Sequence, residues 1–190
     1  MNMLRLFIAV EIESEECKNL LISLQKALPS ATVKKVQLNQ IHMTLKFLGD
    51  TDEKKLPELT AALDQISFSK FSMQFMELGA FPNRKRPNVF WISVSDGKVE
   101  LLRLAESVSS GLSSLGIPKE DRGFHPHLTL ARAKHIGTGL LRDYGGFFDQ
   151  TFDDPQLFRT SITKFVLKSS ILTPQGPIYD DLYTKHALDS

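Results

Sequence analysis

His42-Met43-Thr44-Leu45 and His127-Leu128-Thr129-Leu130 repeat one pattern, 85 positions apart, in a chain of 190 residues. In an extended strand alternate side chains share a face, so each copy offers an imidazole and a hydroxyl on one side and two apolar residues on the other. Two imidazoles across a cleft divide proton work: one takes a proton from an attacking group and the other gives one to a leaving group. Histidine suits both tasks because its unperturbed pKa, about 6.5, lies near the operating pH. Two threonine hydroxyls beside them can hydrogen-bond the non-bridging oxygens of a phosphate and fix it in line. This set fits phosphodiester hydrolysis without a metal.

A single His-x-Thr on a strand is more often an ordinary packed or solvated pair. Two copies in equal register reverse that reading, because packing alone would hold the oily positions of a duplicated unit and leave the polar ones free to drift. His125 and His127, two apart with His42 as a third, form a possible metal-ligand spacing. Pro126 between them, and the lack of a matching Asp, Glu or Cys cluster, weigh against it. His135 and His186 read as solvated or packed, and the single Cys17, in a helix-like run, as a structural thiol.

The elements that must position these groups follow from periodicity. The run from residue 3 to 12 reads as a strand, and Ser14 opens a capped amphipathic helix that Pro29 ends. TVKKVQL and IHMTLKFLG read as short strands separated by Asn39 and Gln40, with the first motif on the second of them. Apolar residues at helical spacing between Asp50 and Ser67 predict a helix that Pro57 forces to start late. FSMQFMELGAF and VFWISVS read as strands around the turn-rich basic loop FPNRKRPN, and Leu101 to Leu115 as a second long helix before the second motif. FVLKSSIL and YDDLYTKHAL supply two more strand-like runs around a GP turn. Strict alternation puts Lys46 on the face of His42 and Thr44, Phe47 on the opposite one, and Arg132 opposite His127 unless the strand twists or ends there. The similar order of elements on both sides of residue 90 predicts a duplicated unit whose halves face each other across a pseudo-two-fold axis.

Composition is that of an ordinary globular domain, 42% hydrophobic and 24% charged, and the length suits one domain or two fused halves sharing a core. With 23 Lys and Arg against 22 Asp and Glu, a formal charge of +1, no overall field draws the chain to a long duplex. A few local cations can still hold one phosphate or the end of an RNA strand. No apolar run reaches the roughly 18 residues of a membrane span. The N-terminus reads as a first strand and not as a signal peptide, so the cytoplasm is the expected compartment.

RLFIAVEI, IHMTLKFLGD, RPNVFWISV, DRGFHPHLTLAR and FVLKSSILTPQGPIYDDLY together make the chain resemble the two-histidine (2H) phosphoesterases, specifically the LigT-like RNA 2′,3′-cyclic phosphodiesterases, also called 2′-5′ RNA ligases. The resemblance implies an α+β fold, a single bilobal domain over residues 1 to 190, in which two similar lobes, each an antiparallel sheet with outer helices, enclose a central cleft. It implies metal-independent opening of a ribose 2′,3′-cyclic phosphate to a 2′-phosphate, without a cofactor. His42 would donate to the leaving 3′-oxygen, His127 would activate water, and Thr44 and Thr129 would hold the phosphate. Arg132, Arg122 and Phe124 match positions near the cleft, Phe124 either stacking on a base or packing under its loop. Relatives often carry an aromatic residue before the first motif, where this chain has Lys35, which suggests a phosphate contact there. The basic loop 83 to 86 is either an RNA contact or an exposed turn. Expected partners are RNA 3′ ends or small cyclic-phosphate nucleotides, with the chain acting as a monomer. The other readings of this cleft are a phosphodiesterase for cyclic nucleotides or 2′-5′ oligonucleotides, or a binding module of the same fold without turnover.

Overall fold

The computed structural model describes residues 2–118, 124–134, 144–150, 158–174 and 176–188, so the expectations placed on Arg122 and His135 lie outside the described residues. The strands are β1 (Met3–Glu11), β2 (Val33–Lys35), β3 (His42–Asp52), β4 (Phe71–Phe81), β5 (Val89–Val94), β6 (His127–Ala133), β7 (Arg159–Ile162), β8 (Lys164–Thr173) and β9 (Gly176–His186). The helices are α1 (Glu15–Lys26), α2 (Leu56–Asp64), α3 (Lys98–Gly111) and the short α4 (Gly145–Phe148). Among the described residues no helix is long and apolar enough to cross a membrane.

Local chemistry explains most boundaries. Ser14 caps α1, its hydroxyl oxygen accepting the Cys17 N–H at 3.1 Å, which satisfies one of the helix's orphan donors. Pro57 sits in the first turn of α2, where its missing N–H costs nothing. Gly97 starts α3 with φ of 75°, and a Cβ there would fall 2.2 Å from the Ser72 carbonyl oxygen, so only glycine fits. β1 is buried throughout from Leu6 to Val10 because it is an interior strand covered on both faces.

The strands form two antiparallel sheets, in the orders β3-β1-β8-β9 and β2-β6-β5-β4-β7. Each motif strand, β3 or β6, pairs with the strand opening its own half of the chain, β1 or β5. The next partner then comes from the other half: β8 adds to β1, and β4 adds to β5. The helices cross over too, α1 contacting β6 and α3 contacting β3. The central strands of the two halves therefore correspond, β1, β3 and β4 with β5, β6 and β8, and each lobe is built from both halves. One apolar cluster joins Leu21 and Leu24 of α1, Leu104 and Val108 of α3, and the inner faces of both sheets.

Candidate active site

The two motif strands place His42 and Thr44, and His127 and Thr129, on the wall of one cleft of roughly 1040 Å³. The support of each imidazole is the same. His42 Nδ1 lies 2.7 Å from the Gln40 carbonyl oxygen, and His127 Nδ1 lies 2.7 Å from that of His125. A carbonyl can only accept, so Nδ1 carries the proton in each neutral ring and Nε2 is left with its lone pair. Aromatic rings fix the ring planes from the side. His42 packs against Phe7 at 4.9 Å and edge-on to Tyr179 at 5.1 Å, while His127 meets Phe81 at 4.9 Å and Trp91 at 6.3 Å. Trp91 itself lies over Gly79, where a Cβ would fall 2.2 Å from the indole carbons.

Both motif strands carry a bulge at the same point of the motif. Across β1, Thr44 faces Ala9 and Lys46 faces Ile8, leaving Leu45 as an extra residue. Across β5, Thr129 faces Trp91 and Ala131 faces Phe90, leaving Leu130 extra. An extra residue resets the alternation, and this corrects two expectations. Lys46 leaves the face of His42 and is buried, its Nζ donating to the Pro118 carbonyl at 2.8 Å and to the Ser109 hydroxyl at 3.2 Å. Phe47, expected on the opposite face, instead lines the cleft and is 64% exposed. By the same reset Arg132 lines the cleft together with His127. The second bulge is held from behind by the buried Gln25 of α1, whose amide donates to Leu130 O at 2.7 Å and Val36 O at 3.0 Å.

The cleft is electropositive although the chain is almost neutral. Its described wall includes the charged groups of Arg5, Lys34, Lys35 and Arg132 and none of the acidic residues. Glu11, the cross-strand neighbour of His42, is turned to a cation of its own: it accepts from Lys168 at 2.6 Å, and Lys168 also pairs with Asp181. Burial drives the pKa of His42 down to about 4; Lys168 and Arg132 push it further, against the Gln40 carbonyl and Glu11. Burial also lowers that of His127, with His125 and Arg132 adding to it. Desolvation and neighbouring cations thus act in one direction, and the cleft by itself holds both imidazoles neutral at pH 7.

The structure brings together His42, Thr44, His127, Thr129, Arg132, Phe124 and Lys35 on the cleft wall. Phe124 lines the cleft and is partly buried against the core. In the basic loop Arg84 turns back on its own lobe, donating to Leu78 O at 2.7 Å and lying 5.0 Å over the Phe148 ring. Lys85 and Arg86 are exposed and their backbone N–H groups bond the Asn83 side chain. His186 is exposed and Cys17 is buried, its thiol pushed up to about 12 by burial. Among the described residues no three His, Cys, Asp or Glu side chains cluster as a metal site would require. Sequence reasoning missed Tyr179, Phe7 and Phe81, which carry no spacing signal relative to the motifs and meet them only through strand pairing.

The sequence matches the family described as LigT like Phosphoesterase over residues 10–91 and 92–179, so that each half is matched with its own histidine motif. It is 36% identical over 179 residues to the RNA 2′,3′-cyclic phosphodiesterase of Archaeoglobus fulgidus, covering 94% of this chain and 98% of the relative. It is 37% identical over 163 residues to the protein of that name from Aeropyrum pernix, covering 83% of this chain and 88% of the relative. In structure it resembles E. coli LigT complexed with 3′-AMP, with a TM-score of 0.79 at 22% identity over 99% of this chain and 100% of that one. A crystal structure of a Thermus thermophilus protein aligns with a TM-score of 0.76 at 31% identity, over 96% and 97% of the two chains.

Proposed function

The chain belongs to the LigT-like phosphoesterase family, and on that premise we propose that it hydrolyses RNA ends bearing a 2′,3′-cyclic phosphate by acid–base catalysis between His42 and His127. The observation that carries this reading is the paired imidazoles, each held at Nδ1 by a backbone carbonyl, in one cleft whose described wall has cations and no carboxylates. The relatives named RNA 2′,3′-cyclic phosphodiesterase support the substrate.

In the proposed reaction, neutral His127 takes a proton from water at Nε2 as the water oxygen bonds to phosphorus. The bond from phosphorus to the 3′-oxygen breaks, and His42, protonated at Nε2, gives its proton to that oxygen. The products are a 2′-phosphate and a free 3′-hydroxyl. Thr44 and Thr129 donate to the non-bridging oxygens, and Arg132 balances the charge that grows on them in the transition state. Phe47 and Tyr179 offer apolar ring surface for the base, with the buried Phe7 ring packed against both. Every step is a proton transfer or a charge contact that side chains supply, so the proposal requires no metal. One chain supplies both halves of the site, which supports a single bilobal domain over residues 1–190 working as a monomer.

The reading is tested by His42→Ala and His127→Ala on an RNA ending in a 2′,3′-cyclic phosphate. Each should lower the rate by about 10²- to 10⁴-fold while the protein remains folded. Activity surviving both single changes would sink the assignment.

A further inference from the structure

The cleft continues beyond the reacting groups along the first sheet. Thr44 stands across from Ala9, and two residues further along β1 the Phe7 ring packs beside His42, Tyr179 and Phe47. Two residues beyond Phe7, on the same face of the strand, Arg5 lines the cleft and is exposed. Asp50 lies directly across from Arg5 in the β1–β3 ladder, yet the two form no ion pair and Asp50 is not among the lining residues. The cation is thus held open to the cleft and is not spent on its neighbour.

We propose that Arg5 forms a second phosphate subsite, taking the phosphodiester that links the cyclic-phosphate nucleotide to the residue before it in an RNA strand. This rests on the function proposed above and names its substrate class: an RNA end, not a free cyclic mononucleotide. From Ala9 to Arg5 is four residues, roughly 13 Å along a strand, and the long arginine side chain brings its guanidinium within one nucleotide of a phosphate held at Thr44. The aromatic row at Phe7, Phe47 and Tyr179 lies between the two positions, where the ribose and base of the terminal nucleotide must lie. A planar guanidinium matches the two free oxygens of a phosphodiester in a bidentate contact. The cleft, at roughly 1040 Å³, has the volume for this, since about 300 to 1,000 Å³ holds a drug-sized ligand.

The test compares three substrates in the wild type and in Arg5→Gln: a nucleoside 2′,3′-cyclic phosphate, a dinucleotide ending in the same group, and that dinucleotide with an uncharged methylphosphonate linkage. The wild type should prefer the charged dinucleotide in kcat/KM, and Arg5→Gln should reduce that preference by about 10- to 100-fold. It should have no such effect on the ratio of the methylphosphonate dinucleotide to the mononucleotide. Equal losses on all three substrates, or an unchanged preference, would overturn the subsite. If the wild type turned over none of them, the proposed function would fall separately. The affinities of the two dinucleotide 3′-phosphates, charged and uncharged, would then decide the subsite: a difference that Arg5→Gln abolishes supports it, and no difference removes it.

Discussion

The pH dependence of kcat/KM is the most demanding consequence of the geometry. The reaction needs one imidazole protonated and the other neutral, yet burial and nearby cations depress both, His42 to about 4 and His127 below 6.5. At pH 7 only about one free molecule in a thousand carries a proton on His42. Below about pH 4 both rings are protonated and the base is lost. Above the pKa of His127 both are neutral and the acid is lost. Between these limits the single proton sits mostly on His127, and the productive form is the minor one with the proton on His42. The kcat/KM profile should therefore be a bell with its maximum between about pH 4 and 6.5, falling close to tenfold per pH unit on the alkaline side. A bound phosphate places negative charge beside both rings and raises their pKa values, so the alkaline limb of kcat should lie at higher pH than that of kcat/KM. Steady-state rates from pH 4 to 9 with a short RNA cyclic phosphate read both curves. A kcat/KM that still rises between pH 6.5 and 8 would refute the reasoning.

Three further outcomes are expected. The unfolded chain protonates His42 near 6.5 and the folded chain near 4, so the unfolded state binds more protons in that window and the wild type should lose stability as pH falls through it, by on the order of 3 kcal/mol. Urea midpoints at pH 7 and pH 4.5 should show that part of the loss missing in His42→Asn, and an equal loss in both proteins would contradict the burial argument. Gln25→Leu strips the side-chain donor from the Val36 and Leu130 carbonyls behind the second bulge and should cost about 1 to 3 kcal/mol; an unchanged urea midpoint would show that the bulge holds without it. Gln40 fixes His42 through its carbonyl and ties its own amide to Pro177 O at the start of β9 at 2.7 Å. Gln40→Leu should lower kcat by about 3- to 10-fold, as expected for one hydrogen bond of about 0.5 to 1.5 kcal/mol, and an unaltered kcat would make the tie irrelevant to the histidine's position.

The doubled His-x-Thr was legible because its chemistry and its period are both local, and the strand that carries each copy announces itself by alternation. Ser14, Pro57 and the run from Phe71 to Phe81 likewise state their structural roles within a few residues. The bulges at Leu45 and Leu130 were not legible, since both are ordinary leucines in apolar runs and the extra residue exists only relative to a partner strand. Those bulges decide that Phe47 and Arg132 enter the cleft and that the Lys46 ammonium is tied to Pro118 and Ser109 instead of standing beside His42. Period-two reasoning assigned Lys46 and Phe47 to the wrong faces and left Arg132 dependent on a twist. The exchange of β4 and β8 between lobes was hidden for a similar reason. Equal element order in two halves fixes their correspondence but not which sheet a strand joins. Tyr179 reaches His42 only because β9 pairs with β8 and β8 with β1, a contact between residues far apart in sequence.

The most direct test of the central claim is to incubate the pure protein, in excess EDTA, with a short RNA ending in a 2′,3′-cyclic phosphate and to identify the product. The two-histidine account predicts ring opening to a 2′-phosphate with a free 3′-hydroxyl at an undiminished rate. A 3′-phosphate would contradict the assigned direction of cleavage, and loss of activity in the chelator would contradict a reaction carried by His42 and His127 alone.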